Sequence, residues 1–195
     1  MRVIAGTARG TKLKAPKGMQ VRPTADRVKE ALFSILGPRI PGAFFIDLYA
    51  GSGAIGIEAL SRGADFCVFV ENKRTNVALI NENITKTGLN SKVRVICADA
   101  FKTITSLASE NVKADLLFMD PPYDYNDIVT IVDSALKQNI VSDSGLIIAE
   151  HAFSNRHWAE KFNSTRQKKY GDTCLTFIPC RDNISATPEE LPPGL

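Results

Sequence analysis

Histidine, tryptophan and cysteine are scarce in this chain, and each scarcity closes off a chemistry. Two histidines, His151 and His157, are too few for a histidine-rich metal centre. The four cysteines, Cys67, Cys97, Cys174 and Cys180, form no C-x-x-C pair. That removes the usual zinc and dithiol spacings, and no metal is expected. Three of the four sit in or beside apolar runs, as buried thiols do in a reducing compartment. No apolar run approaches the roughly 20 residues that span a bilayer. The N-terminus lacks an apolar signal segment. The expectation is a cytoplasmic protein with no membrane partner. A length of 195 residues leaves room for one domain and a small appendage.

Charge is modest in total, +3, but unevenly placed. Between Met1 and Arg39 nine basic side chains face only Asp26 and Glu30, a local excess of seven positive charges. Such a stretch reads either as a solvated surface or as a basic arm for phosphate backbone. Within it, residues 1–21 alternate short apolar pieces with Gly, Lys and Pro, a hairpin pattern. Arg2, Arg9, Lys12 and Lys14 are its candidate RNA-binding residues. The segment DRVKEALFSIL then places Val28, Leu32, Ile35 and Leu36 at helical spacing, with Thr24 as N-cap and Gly37-Pro38 as the stop.

From residue 43 the pattern becomes strand, helix, strand. Apolar strands are expected at 43–49, 65–71, 92–98, 114–120 and 145–151. Helices are expected at 54–61, 72–87, 101–109 and 128–137. Continuous apolar strands separated by helices imply a parallel sheet covered on both faces, an α/β fold. Residues 164–170 and 173–178, joined by Gly171-Asp172, imply an antiparallel hairpin at the sheet edge. The expected domains are a basic hairpin at 1–21, a main domain at 22–180 and a loose polar tail at 181–195.

Two motifs carry chemistry. DLYAGSGAIG holds Gly51-x-Gly53-x-x-Gly56 between a strand and a helix, and Glu71 ends the next strand. Glycines let a cofactor lie against bare backbone, and a carboxylate at that distance can accept ribose hydroxyls. A nicotinamide dinucleotide and S-adenosyl-L-methionine both fit this outline. Asp47 weighs against the first, because an anion near pyrophosphate is repulsive. Beside the cationic amino acid end of S-adenosyl-L-methionine it is favourable. Asp99, after the third strand, is either a helix N-cap or an acceptor for adenine N6, with Ala98, Ala100 and Phe101 as apolar cover.

The second motif is Asp120-Pro121-Pro122-Tyr123, at the C-terminal end of the fourth strand. Two prolines remove N–H donors and leave acceptors. Acceptors suit an exocyclic base amine, whose two N–H groups can be held while its lone pair faces an electrophilic methyl. Tyr123 can stack on the base. A DNA adenine-N6 methyltransferase could use the same loop, but it would need a further DNA-reading domain. A binding protein with an inactive version of the fold is disfavoured by the intact motifs.

The chain resembles the bacterial 16S ribosomal RNA guanine-N2 methyltransferase family. MRVIAG…RG…LKAPKG (1–18), RPTADRVKEALFSIL (22–36), DLYAGSGAIGIEALSRGA (47–64), DPPY (120–123), EH (150–151) and KKYGDTCLTF (168–177) carry the likeness over about residues 1–180. The resemblance implies a Rossmann-like seven-stranded class I methyltransferase fold with a reversed last hairpin. It implies S-adenosyl-L-methionine as cofactor and 16S rRNA, in an assembled or assembling small subunit, as partner. Its cofactor positions fall on Arg22, Thr24, Asp47, Tyr49, Gly51, Gly53, Glu71, Asp99 and Ala100. Tyr49 stands where phenylalanine is common in the family.

Overall fold

The computed structural model describes residues 1–16, 23–121 and 125–183. Among these residues seven strands form one sheet in the order β3-β2-β1-β4-β5-β7-β6. They are β1 (Phe44–Leu48), β2 (Phe66–Glu71), β3 (Val93–Cys97), β4 (Ala114–Met119), β5 (Val141–Ala152), β6 (Arg166–Tyr170) and β7 (Thr173–Pro179). The first five pair in parallel. β7 runs antiparallel to both β5 and β6. The hairpin expected at the edge is therefore reversed into the sheet. Its apolar strand β7 lies inside, and only β6 is at the edge. β6 exposes Arg166, Lys168 and Lys169, charges that discourage further strand pairing.

Among the described residues five α-helices cover the sheet: α1 (Pro23–Leu36), α2 (Ala54–Ser61), α3 (Arg74–Thr87), α4 (Ala100–Ser109) and α5 (Tyr125–Lys137). Two apolar layers result, one on each face. Leu32, Phe33, Ile57, Phe69 and Phe118 lie on one side. Met119, Val132, Ile147 and Trp158 lie on the other. Alternate residues of each strand feed alternate layers, which is why the strands read as unbroken apolar runs.

Two expectations need correction. α1 begins at Pro23, so Thr24 lies in its first turn and is not the N-cap; proline suits that first position. β5 starts four residues early, because Val141 pairs with Ala114 across a register shift. A 3-10 stretch, Phe153–Lys161, follows β5.

Residues 1–14 pair through an isolated Arg2–Lys12 bridge, with Val3 N–H donating to Thr11 O, Leu13 N–H to Met1 O and Gly10 N–H to Val3 O. Val3, Ala8 and Leu13 are buried in the same layer as α1 and α2. Glu58 of α2, 0% exposed, accepts the Ile4 and Ala5 N–H groups at 2.8 and 3.0 Å and the Arg62 Nε–H at 2.8 Å. Lys29 Nζ lies 3.5 Å from Glu58 and donates to Arg2 O at 2.6 Å. Lys29 is 4% exposed, so one of the nine basic residues is an internal tie and not a surface charge. A buried carboxylate needs such partners, and removing one would strand the other.

Candidate active site

In an open α/β sheet, ligands bind beyond the C-terminal ends of the strands, where the strand order reverses. Here that point lies between β1 and β4, because the chain adds β2 and β3 on one side of β1 and then returns to the other. Both motifs stand there. β1 ends into the glycine turn, and β4 ends at Asp120, with Leu48 and Met119 paired just before them.

The turn is built by carboxylates. Asp47, 1% exposed, accepts the Gly56 N–H at 2.9 Å and so fixes the start of α2. Glu71 accepts the Gly51 N–H at 2.9 Å through Oε2 and the Lys73 N–H at 2.8 Å through Oε1. Each of those oxygens keeps a second lone pair. Tyr49 is in the left-handed region at φ 63°, a strained conformation for a non-glycine residue and one concentrated at functional sites. Gly51 follows it at φ 57°, and a Cβ there would meet nothing closer than Tyr49 O at 3.9 Å, so its face is open. Gly53 differs. Its missing side chain faces Ile80 and Phe69, each 3.4 Å from where a Cβ would be. At Gly56 a Cβ would stand 2.4 Å from the Phe69 ring, so this glycine lets α2 press onto β2.

Asp99 is the N-cap of α4, its Oδ1 accepting the Lys102 N–H at 3.1 Å, and it is exposed to solvent. Of the two readings, the capping one is therefore present. Ala100 is 3% exposed and its methyl packs into the core, which leaves only its backbone to face a ligand. Phe101 next to it is 45% exposed, the one large apolar side chain standing out among the described residues.

Asp120, Pro121, Glu150 and His151 line one cleft of about 140 Å³ with Ile128, Ala152, Asn155, Asp172 and Thr173. The carboxylates here repel one another. Burial raises Asp47 to about 7, and Asp120 and Glu71 add to that rise. Asp120 is solvent-exposed at the end of its strand, yet desolvation by the surrounding cleft raises it to about 6. Burial and then Asp120 raise Glu150 to about 8. Among the described residues no cation acts on any of the three. Such a site fits a cationic ligand and repels pyrophosphate, which separates S-adenosyl-L-methionine from a nicotinamide dinucleotide.

His151 is structural. It is buried, with Nε2 2.7 Å from Thr176 Oγ1, Nδ1 2.9 Å from Ala152 O, and its ring edge-on to Trp158. His157 pairs with Glu160 in solvent. Arg22, Pro122 and Tyr123 lie outside the described residues, as do the side chain of Thr24 and residues 184–195. Among the described residues no group of His, Cys, Asp and Glu is placed to hold a metal ion. No helix among them is long and apolar enough to cross a membrane. Arg2, Arg9, Lys12 and Lys14 are exposed on the N-terminal segment, but Lys14 forms an ion pair with Glu82. Sequence reading missed Glu150 as a site residue. The signal was its place at the end of the strand beside Asp120.

This fold and switch-point site define a class I S-adenosylmethionine-dependent methyltransferase. The chain belongs to the family described as Conserved hypothetical protein 95, whose model matches residues 1–179. It is 34% identical over 155 residues to Ribosomal RNA small subunit methyltransferase D of Escherichia coli K12, covering 80% of this chain and 76% of that protein. Among solved structures it resembles the hypothetical protein TTHA0928 of Thermus thermophilus, with a TM-score of 0.79, 30% identity, and coverage of 91% of this chain and 98% of that one. The Thermus thermophilus 16S rRNA N2 G1207 methyltransferase RsmC, in complex with AdoMet and guanosine, shares the fold at a TM-score of 0.68 and 21% identity, over 84% of this chain and 44% of that one.

Proposed function

We propose that this protein transfers the methyl group of S-adenosyl-L-methionine to the exocyclic N2 of one guanine in 16S rRNA. The substrate is the assembled or assembling small ribosomal subunit, and the compartment is the cytoplasm. The observation that carries this reading is the placement of Asp120, an acceptor on a proline-stiffened strand end, beside the anionic glycine turn at the switch point. Names borne by relatives point the same way.

Asp47 faces the cationic amino acid end of the cofactor, and Glu71 offers its remaining lone pairs to the ribose hydroxyls. Asp99 accepts from adenine N6 with its second oxygen. Tyr49, Gly51, Gly53 and the Ala100 backbone shape the floor, and Arg22 and Thr24 close over it. The cofactor supplies a methyl already activated by a sulfonium. Asp120 accepts an N–H of the target amine, turning the nitrogen lone pair away from its ring, and stabilises positive charge developing there. Pro121 and Pro122 keep N–H donors out of this acceptor site, and Tyr123 stacks on the base. The base must leave its stack to reach this cleft. Arg2, Arg9, Lys12 and Lys14 hold RNA phosphates.

The test is methyl incorporation from labelled cofactor into small subunits taken from cells lacking the protein. Asp120→Ala lowers incorporation by at least about 100-fold and leaves cofactor affinity within about threefold. In the native protein the rate rises with pH through about 6, because only the ionised Asp120 accepts the amine N–H fully. Label appearing in DNA and not in subunits, or full activity in the Asp120→Ala protein, would falsify the proposal.

A further inference from the structure

We infer that Glu150 is the residue that selects guanine, by accepting the base N1–H while Asp120 accepts the neighbouring N2–H. This rests on the reading of Asp120 given above. Met119 pairs with Ala149 in the parallel β4–β5 ladder. Asp120 and Glu150 are therefore the next residues on adjacent strands. Opposed positions in a ladder share a face, and both residues line the same cleft. Ile128, Pro121 and Ala152 give that cleft apolar walls suited to a flat ring.

Among the described residues, Asp120 is the charged group that acts on Glu150. A carboxylate placed beside another carboxylate, with no cation to balance it, is costly in the free protein. A ligand that donates two adjacent hydrogens would relieve that cost. Among the bases, guanine offers N1–H and N2–H side by side. Adenine pairs its exocyclic amine with an N1 lone pair, and cytosine pairs its amine with an N3 lone pair; either lone pair would face Glu150. A site built to accept a hydrogen rejects an analogue lacking it far more strongly than an apolar site could. Burial, and then Asp120, raise Glu150 to about 8 in the free protein. Guanine N1–H favours the ionised acceptor form, so the selection sharpens as pH rises through about 8, below which a protonated Glu150 could donate to a lone pair instead. Base identity thus has a chemical source in the cleft itself.

The test uses reconstituted small subunits carrying either guanine or 2-aminopurine at the methylated position. 2-Aminopurine has the same exocyclic amine but a lone pair at N1. In the native protein kcat/KM for guanine exceeds that for 2-aminopurine by at least about 100-fold. Glu150→Gln and Glu150→Ala lower the guanine rate, and in Glu150→Gln, whose amide can donate as well as accept, the ratio falls at least tenfold. The ratio is internal to each protein, so partial unfolding does not change it. A ratio within threefold of the native value in both variants overturns the inference. If the native protein labels neither substrate, the reading of the reaction itself fails, and that result is distinct from an unchanged ratio.

Discussion

Asp47 accepts one backbone hydrogen bond in a place with almost no water, and its pKa records what that costs. Its folded value of about 7 lies above the ordinary 3.8, so the folded protein binds the proton more tightly than the unfolded chain. Stability from this group is therefore full below about 4 and is lost as pH rises through about 7. Asp47→Asn keeps an oxygen for the Gly56 N–H and removes the charge. The variant should melt several degrees above the native protein at pH 8, at about 2–4 °C per kcal/mol for a chain this long. Near pH 4 the two should coincide. Cofactor affinity should fall about tenfold, since the cationic end loses its anion. Thermal melts at the two pH values and calorimetric titration decide it; an equal Tm difference at both pH values would remove the charge from the explanation. That Asp47 stands at the start of the glycine turn was legible in the sequence. Its bond to Gly56, nine residues on, was not, because nothing in the sequence says which way a strand-end carboxylate turns.

At the scale of elements, the glycine fingerprint divides into two jobs that its sequence spacing hides. Gly51 faces open space, whereas Gly56 faces the Phe69 ring and the Cys67 sulfur. Gly56→Ala should therefore cost about 1–3 kcal/mol of stability, as overpacking does, with cofactor affinity retained in the folded fraction. Gly51→Ala, at φ +57°, should also lose about 1–2 kcal/mol by holding a side chain in the left-handed region, but unlike Gly56→Ala it should weaken cofactor binding in the folded fraction. Denaturant unfolding of both variants beside cofactor titration checks this; if Gly56→Ala melts like the native protein, α2 does not rest on β2 as described. The five parallel strands and their helices were legible because each is a long run of one period, and helix 54–61 fell where expected. Phe153–Lys161 was not, since its hydrogen bonding repeats every three residues and only Trp158 and Ala159 are buried. The Glu58 tie was invisible for another reason. Its partners at Ile4, Ala5 and Lys29 lie far away in the chain, and charged residues ordinarily read as surface.

For the molecule as a whole, the N-terminal charge excess and the catalytic cleft are joined through one buried side chain. Asn83, 0% exposed, donates to Lys14 O and to Ser52 O in the glycine turn, and accepts the Lys14 N–H at 2.8 Å. The segment bearing Arg9, Lys12 and Lys14 is thus fixed relative to the cofactor turn, which a positioned RNA contact requires and a merely solvating arm does not. If these residues hold phosphates, replacing all three with alanine should weaken small-subunit binding. It should also make the slope of log affinity against log salt shallower by roughly 0.7–0.9 for each phosphate no longer neutralised. Lys14 should contribute least, because Glu82 already neutralises it. Cofactor affinity should stay within twofold, which separates loss of RNA from disturbance of the turn through Asn83. A second variant replaces Arg166, Lys168 and Lys169 on the exposed edge strand β6. An unchanged salt slope in the first variant with a shallower one in the second would place the RNA along the opposite edge of the sheet and sink the assignment of the N-terminal segment.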